Sequence, residues 1–252
     1  MIRLKSKREI EIMNKAAVIL RKTFERLRSE VRPGVTTLEL DEIAERTICT
    51  AGGEPAFKGY RGFPRTLCTS VNEEVVHGIP SNRKLKEGDL VSLDLGVKYD
   101  GYYVDAARSW PVGKTSAEVL KLIRAAREAF LAGVNAVRQP GKRIGDLSRA
   151  IQEVIESRGF GIVRDYVGHG VGQAIHEEPQ VPNFGRPGQG PKIEPGLVLA
   201  IEPMVTAGNA AVETLVDGWT VVTQDGKWAS HYEDTVAFTE EGPVNLTGPE
   251  SE

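Results

Sequence analysis

Two pairs of acidic residues stand at equivalent positions of a repeated segment. The segment that ends at Asp94 (LKEGDLVSLD) aligns with the segment that ends at Glu202 (IEPGLVLAIE), at a constant offset of 108 residues. A second acid follows each copy in another strand-like run, as Asp105 and as Glu233. Four carboxylates gathered in an apolar site cannot all stay ionised unless cations neutralise them. The pattern therefore predicts a metal centre.

The chain has four histidines, and two of them lie in the glycine-rich stretch GHGVGQAIH. The glycines let the backbone pass close to a ligand, so we predict that His169 binds metal and that His176 faces the same cleft. One imidazole among carboxylates favours Mn, Fe, Co or Zn over Mg or Ca. For His77, before a Gly-Ile-Pro turn, and His231, two residues before Glu233, a role at the site and simple packing both remain open.

Other reaction chemistries have little support in the sequence. It contains no GxSxG elbow, no P-loop and no GxGxxG after a strand, which leaves a covalent mechanism without a candidate nucleophile. Cys49 and Cys68 lack the spacing of a zinc or redox site, and we expect Cys49 to be an ordinary buried thiol.

Four predicted helices position these residues. Three of them open with a capping box, in which a hydroxyl residue precedes a glutamate by three positions: Ser6 with Glu9, Thr36 with Glu39, and Thr115 with Glu118. The fourth helix runs through Leu147 and Ile155 and ends at Gly159. The second and fourth helices align at an offset of 107 residues, so the duplication includes helices as well as strands.

The acidic segments read as antiparallel strands. Apolar residues alternate around Asp94, and Tyr99-Asp100-Gly101 supplies a turn that would bring Asp94 close to Asp105 across a hairpin. We predict an α+β fold in which helices cover a curved antiparallel sheet. Residues 1–252 would form a single domain of two pseudo-symmetric halves, about 1–113 and 114–246, with a disordered tail from Gly248.

Composition narrows the partners. The chain has 252 residues, 40% of them hydrophobic, and a net charge of −3 without a concentrated basic run, which disfavours nucleic acids and anionic membranes. The N-terminus has no apolar signal region, and no stretch of about 18 apolar residues occurs. We expect a soluble, cytoplasmic monomer.

The order of residues Asp94, Asp105, His169, Glu202 and Glu233, with the contexts VSLDLG, GHG and IEPM, resembles the active site of the bacterial type I methionine aminopeptidases. These enzymes have the pita-bread fold of the creatinase-like peptidases, and the resemblance covers about residues 3 to 246. It implies two divalent ions, of Co, Mn, Fe, Zn or Ni. Asp94 would bind one, His169 and Glu202 the other, and Asp105 and Glu233 both.

The resemblance also implies roles for further residues. Glu202 would carry a proton towards the departing amine, His176 would donate to the developing oxyanion, and His77 would contact the scissile amide. The positions that match the methionine pocket hold apolar residues: Tyr60, Phe63, Cys68, Ile175 and Trp219. Phe63 stands where tyrosine is common, Ile175 where phenylalanine is common, and His231 where glutamine is common. The implied substrates are N-termini of nascent polypeptides with a small second residue, met during transient contact with the ribosome.

Two other functions compete with this one. An Xaa-Pro peptidase of the same fold would share the five ligands, but it usually carries a large extra N-terminal domain and further histidines. A non-catalytic pita-bread protein would bind partners, but such proteins have lost ligands that are all present here. We therefore favour the methionine-specific peptidase.

Overall fold

The structure is a computed structural model that describes residues 1–248. The predicted tail, from Pro249 onward, lies outside the described residues. The helices are α1 (Lys7–Glu30), α2 (Thr37–Thr50), α3 (Ala117–Ala136) and α4 (Ile144–Ser157), with a 3₁₀ turn at Tyr60–Gly62. The strands are β1 (Glu54–Pro55), β2 (Cys68–Val71), β3 (Glu74–Val76), β4 (Leu90–Tyr99), β5 (Tyr102–Pro111), β6 (Gly161–Ile162), β7 (Gly168–Gly170), β8 (Glu177–Val181), β9 (Val198–Ile201), β10 (Met204–Thr206), β11 (Val212–Thr214), β12 (Val221–Thr223), β13 (Ala229–His231), β14 (Glu233–Thr239) and β15 (Gly242–Asn245).

One large antiparallel sheet forms the centre of the molecule. Its strand order is β1-β4-β5-β14-β9-β7-β8, with β2 paired to β4 and β15 paired to β14. Strands of the first half (β4, β5) thus join strands of the second half (β14, β9) edge to edge. The sheet curls into a half-barrel with helices packed on it, which confirms the predicted fold class.

Two of the three predicted helix caps are confirmed. Ser6 and Thr36 form complete capping boxes with Glu9 and Glu39. The predicted cap at Thr115 is wrong, because the neighbouring Ser116 accepts the hydrogen bond from the Val119 amide. The Thr115 hydroxyl instead donates to the Gly88 carbonyl at 3.0 Å, so it is used to fasten the helix to the preceding turn.

Each half has its own hydrophobic core between its helix pair and the sheet. In the first half α1 and α2 pack on β4 and β5, with Leu20 and Leu93 fully buried. In the second half α3 and α4 pack around β9 and β14, with Phe130 and Leu199 almost fully buried. Burying apolar surface on one face of the sheet leaves the other face to carry the polar residues.

The β4–β5 hairpin is the longest pairing and confirms the predicted turn. Tyr99 pairs with Tyr102, and Asp100 and Gly101 between them have φ of +47° and +81°. Positive φ at both central residues defines a turn whose twist matches that of the strands. The turn fixes the register, and Gly96 consequently lies opposite Asp105.

The second half carries a longer connection between its two acids. Strands β10 to β13 lie between Glu202 and Glu233 and form two small sheets, β13-β10-β6 and β11-β12-β3. Because β12 pairs with β3, this insertion also contacts the first half, close to His77.

Cys49 is exposed on the last turn of α2, so the expectation of a buried thiol is wrong there, because the adjacent Ile48 occupies the buried face.

Within residues 1–248, no helix combines the length and the apolar character needed to cross a bilayer.

Candidate metal centre and substrate pocket

The register of the sheet brings three acids to the same face. Asp94 on β4 lies opposite Ala107 on β5, and Ala107 lies opposite Glu233 on β14. Directly opposed residues point to the same side of a sheet, and so do residues two apart on one strand. Asp105, two residues before Ala107, therefore points to the same side as Asp94 and Glu233.

The same parity rule adds the remaining two residues. His169 on β7 lies opposite Ala200 on β9, which lies opposite Thr235 on β14. Thr235 is two residues after Glu233, and Glu202 is two residues after Ala200. All five predicted metal ligands thus project from one face of the sheet.

Measured distances show that these side chains meet. One ligand atom each of Asp105, His169 and Glu233 lies within 4.8 Å of the others. Nε2 of His169 lies 3.8 Å from Oδ2 of Asp105 and 3.7 Å from Oε1 of Glu202. A hydrogen bond between Nδ1 of His169 and the Gly170 carbonyl, at 2.9 Å, orients the ring so that Nε2 faces the acids.

Burial makes ionisation of the cluster costly. It raises the pKa of Asp94 to about 7 and that of Glu202 to about 8. Burial also raises the pKa of Asp105 and of Glu233 well above the ordinary value, and the neighbouring acids add to both shifts. For His169 burial lowers the pKa to about 3, so its ring is neutral and can bind a metal.

These donors fit a divalent cation. Oδ1 of Asp94, Oδ1 of Asp105 and Oε1 of Glu233 are buried without a hydrogen-bond partner within residues 1–248. Buried carboxylate oxygens normally have a partner, and a coordinated ion would supply it. A set of carboxylates with one imidazole suits Mn, Fe, Co or Zn.

His231 lies beside this cluster. Its Nε2 is 3.6 Å from Oε2 of Glu202 and 3.9 Å from Oε2 of Glu233. The Ser109 hydroxyl accepts a hydrogen bond from the His231 amide at 3.0 Å, which anchors the residue to β5. Burial lowers the pKa of His231 to about 4, so the ring next to the two glutamates is neutral.

His176 stands at the outer side of the cluster. Its ring centroid is 4.2 Å from that of His169, and the ring stacks on Tyr60 at 5.2 Å. Nδ1 of His176 lies 2.9 Å from the Tyr60 hydroxyl. The remaining nitrogen, Nε2, is therefore available to a substrate, and burial lowers the pKa of this histidine.

His77 lies on the opposite wall. Its ring meets Tyr166 edge-on at 5.7 Å and Trp219 at 6.3 Å. Its backbone has a φ of +60°, which is uncommon for a residue with a side chain and is found where the surrounding structure requires it. Burial lowers its pKa to about 4, so its ring is a neutral donor or acceptor.

A pocket of about 190 Å³ opens directly above the acids. Apolar and aromatic residues predicted from the sequence form much of its lining: Tyr60, Phe63, Cys68 and Trp219. Ile175 is almost fully buried and packs in one apolar cluster with the lining residues Phe57, Phe63 and Cys68, although it is not itself among the lining residues.

The sequence did not identify four lining residues, Arg61, Val76, Tyr166 and Val167. Arg61 is one of several arginines in the chain, and Tyr166 and Val167 precede the GHG stretch without a periodic pattern. Their proximity to His169 along the chain was the only signal for Tyr166 and Val167. Arg61 offered no signal of its own.

Comparisons with known proteins agree with this arrangement. The sequence model of metallopeptidase family M24 matches residues 11–240. The methionine aminopeptidase of Clostridium perfringens is 53% identical over 98% of this chain and 99% of its own length. Methionine aminopeptidase 1 of Bacillus subtilis is 50% identical over the same shares.

Solved structures that resemble this chain include a methionine aminopeptidase and a prolidase. The methionine aminopeptidase from Rickettsia prowazekii superposes with a TM-score of 0.96 at 36% identity, over 98% of this chain and 100% of that one. A prolidase from Pyrococcus furiosus superposes with a TM-score of 0.76 at 28% identity, and the match covers 98% of this chain but 66% of the prolidase. The M24 sequence model matches most of the chain, relatives match it over nearly their full length, and buried metal-binding side chains form a cluster in the structure. This chain therefore belongs to metallopeptidase family M24.

Proposed function

We propose that this protein is a metal-dependent aminopeptidase that removes the N-terminal methionine from proteins and peptides. The observation that supports the proposal is a buried cluster of metal-binding side chains, Asp105, His169 and Glu233, which lines a largely apolar pocket together with Asp94 and Glu202. The full-length similarity to methionine aminopeptidases supports the substrate. The prolidase match has a lower sequence identity and a lower TM-score than the methionine aminopeptidase match, which disfavours the Xaa-Pro alternative.

In this proposal the centre would hold two divalent ions. Asp94 would be a ligand of one ion and His169 and Glu202 of the other, and Asp105 and Glu233 would complete the set of ligands. When bound, the ions supply Lewis-acid polarisation of the scissile carbonyl and a lowered pKa for an attacking water. Cobalt, manganese, iron, zinc and nickel all suit the donor set.

The chain's own residues then bind the peptide and move its protons. Glu202, whose Oε2 lies at the edge of the cluster, takes a proton from the attacking water and delivers it to the leaving amine. His176 donates from Nε2 to the oxyanion while Tyr60 holds Nδ1. His77 contacts the scissile amide from the opposite wall.

The apolar wall binds the methionine side chain. The rings of Phe63 and Trp219 meet edge-on at 5.1 Å, and Cys68 lies opposite Asp94 in the sheet, between the ring pair and the metal centre. A thioether packs well against aromatic edges. Ile175 packs in the same apolar cluster as Phe57, Phe63 and Cys68 and belongs to this proposed methionine pocket.

The cellular setting follows from the substrate. Nascent polypeptides emerge at ribosomes, so we propose that the protein acts in the cytoplasm, as a monomer, with transient ribosome contact and a preference for a small second residue. We also propose that residues 1–252 form one domain of two halves, because the halves share a continuous sheet.

Cleavage of tripeptides tests this function. Metal-stripped protein should release methionine from Met-Ala-Ser only after Mn(II) or Co(II) is added, and should cleave Met-Leu-Ser poorly and Ala-Pro-Ala not at all. Cleavage of Ala-Pro-Ala alone would indicate the Xaa-Pro peptidase. Absence of cleavage with every metal would make a non-catalytic binding protein the better account.

A further inference from the structure

The loop that carries His176 is fastened to the N-terminal segment of the chain. This loop, residues 171–176, connects β7 to β8, and Glu177 is the first residue of β8. The His176 ring lies 4.2 Å from the His169 ring, measured between centroids. A hydrogen-bond donor on a short loop keeps its place only when its surroundings hold the loop.

Lys5 supplies the main fastening. The residue is 5% exposed, which is unusual for lysine, and its Nζ donates to Oε2 of Glu177 at 2.7 Å and to the Arg3 carbonyl at 3.0 Å. Glu177 in turn accepts a hydrogen bond from the Ala174 amide through Oε1, at 3.1 Å. Lys5 therefore reaches both ends of the turn that contains His176.

The backbone around the ion pair is shaped for this contact. A Cβ on Gly172 would lie 2.4 Å from Cε of Lys5 and 2.7 Å from Oε1 of Glu177. A larger residue at this position would displace the end of the lysine or glutamate side chain, and glycine leaves the ion pair in place. The Lys5 amide also donates to the Gly196 carbonyl at 2.6 Å, which fixes the lysine backbone to the segment before β9.

A second set of contacts holds the other side of the loop. Nε2 of Gln173 donates to the Tyr102 hydroxyl at 3.0 Å, and that hydroxyl donates to Oε1 of Glu9 at 2.7 Å. The Arg3 guanidinium donates to Oε1 of Gln173. Residues 3 to 9 thus contact the loop at two separate points.

We propose that Lys5 and Glu177 are positioning residues that hold His176 in its productive orientation. Neither residue is a predicted metal ligand or lines the pocket itself, so both act through the loop. The inference rests on the proposed function of His176 as the oxyanion donor. Misplacement of a catalytic group by about 1 Å can cost about 10²-fold in rate, which makes such a fastening necessary.

A double-mutant cycle with His176→Ala tests the proposal. His176→Ala alone should lower kcat for Met-Ala-Ser by about 10²-fold. Lys5→Met should lower kcat by about tenfold and leave KM nearly unchanged, because the methionine pocket is intact. In the His176→Ala background, Lys5→Met should lower kcat by less than about twofold, because the residue it positions is gone.

Two further variants and the double-mutant cycle distinguish the possible outcomes. Lys7→Met removes an exposed lysine from the same segment and should leave kcat unchanged. Glu177→Gln, which breaks the ion pair from its more exposed side, should reproduce the kcat loss if Lys5→Met folds poorly. Equal kcat losses from Lys5→Met in both backgrounds would overturn the positioning role, whereas an active His176→Ala variant would overturn the proposed function of His176 itself.

Discussion

The first half of the molecule presents its two acids on a single long hairpin, whereas the second half presents its acids at the ends of short strands. Asp94 and Asp105 lie inside the ten-residue strands β4 and β5, whose register the Asp100-Gly101 turn fixes. Glu202 follows the last residue of β9, and Glu233 is the first residue of β14.

The acidic side chains of the two halves also differ in length. The aspartates are short and project from continuous strands, while the glutamates have one more methylene with which to reach the same centre from strand ends. The imidazoles closest to the acids, those of His169 and His231, also come from the second half. A duplicated unit can therefore keep its carboxylates at equivalent positions although only one of the two copies remains a simple hairpin.

The largest effect is expected from removing one acid of each half. Asp94→Ala and Glu202→Ala should each lower turnover of Met-Ala-Ser by about 10³-fold or more, because both halves contribute to one centre. Circular dichroism should show that the fold is retained. Glu213→Ala, at an exposed acid of the insertion, is the control and should remain active. An active Asp94→Ala variant would mean that the second half suffices.

A smaller effect is expected at His77, which the first half contributes. His77→Asn should lower kcat by about 10²-fold, because the imidazole contact to the scissile amide is lost. Asparagine tolerates the positive φ of this position, so the loss reports the ring and not backbone strain. Thermal unfolding near the wild-type temperature, with kcat unchanged, would show instead that His77 only packs against Tyr166.

A still smaller effect is expected at Tyr60, where the first half supports a histidine of the second. Tyr60→Phe keeps the stacked ring and removes the hydroxyl that lies 2.9 Å from Nδ1 of His176. A single hydrogen bond of this kind corresponds to a decrease in kcat of about two- to tenfold. Steady-state kinetics at saturating Met-Ala-Ser measure it, and an unchanged kcat would argue that this hydroxyl does not hold His176.

The smallest effect concerns the stability of the metal-free protein. Since the pKa of Asp94 is raised to about 7 and that of Glu202 to about 8, the folded state keeps protons that the unfolded chain releases. The stabilisation is complete below the unfolded pKa values and is lost as pH rises through these folded values. The buried histidines oppose this trend below their ordinary pKa of 6.5, where the unfolded chain takes up protons that the folded state does not.

Chelator-treated protein should therefore gain about 2–4 °C in Tm when pH falls from about 8.5 to about 6.5. Glu202→Ala should reduce this gain, since it removes one of the two carboxyls, those of Asp94 and Glu202, whose pKa values lie in this pH range. Added Mn(II) should reverse the trend, because metal competes with protons for the same oxygens. A metal-free Tm that rises with pH over this range would contradict the assignment.

Much of the fold could be predicted from the sequence because local patterns and the duplication agree. Hydroxyl–glutamate spacing located the starts of α1 and α2, and the Asp100-Gly101 turn located the hairpin. The cap of α3 was misplaced by one residue because Thr115 and Ser116 both offer a hydroxyl, and only the contact of Thr115 with Gly88 separates them. Strands β10 to β13 were not predicted, since three-residue strands leave no periodic pattern.

The site divides in the same way. The repeat that relates Asp94 to Glu202 and the hairpin between Asp94 and Asp105 predicted a shared centre. The register of the sheet places all five predicted ligands on one face. Arg61 and Tyr166 could not be predicted, because a loop residue reaches a pocket through tertiary packing that no local pattern encodes. Ile175 stays a predicted contact of the substrate, and it packs in one cluster with Phe57, Phe63 and Cys68, which line the pocket.

The stoichiometry of metal binding tests most directly whether the two halves build one shared centre. Equilibrium dialysis against excess Mn(II), followed by elemental analysis, should give about two ions per chain for the wild-type protein. Asp94→Ala and His169→Ala should each retain about one, because each removes a ligand of a different ion. One ion in the wild-type protein, or two ions retained in either variant, would contradict a dinuclear centre divided between the halves.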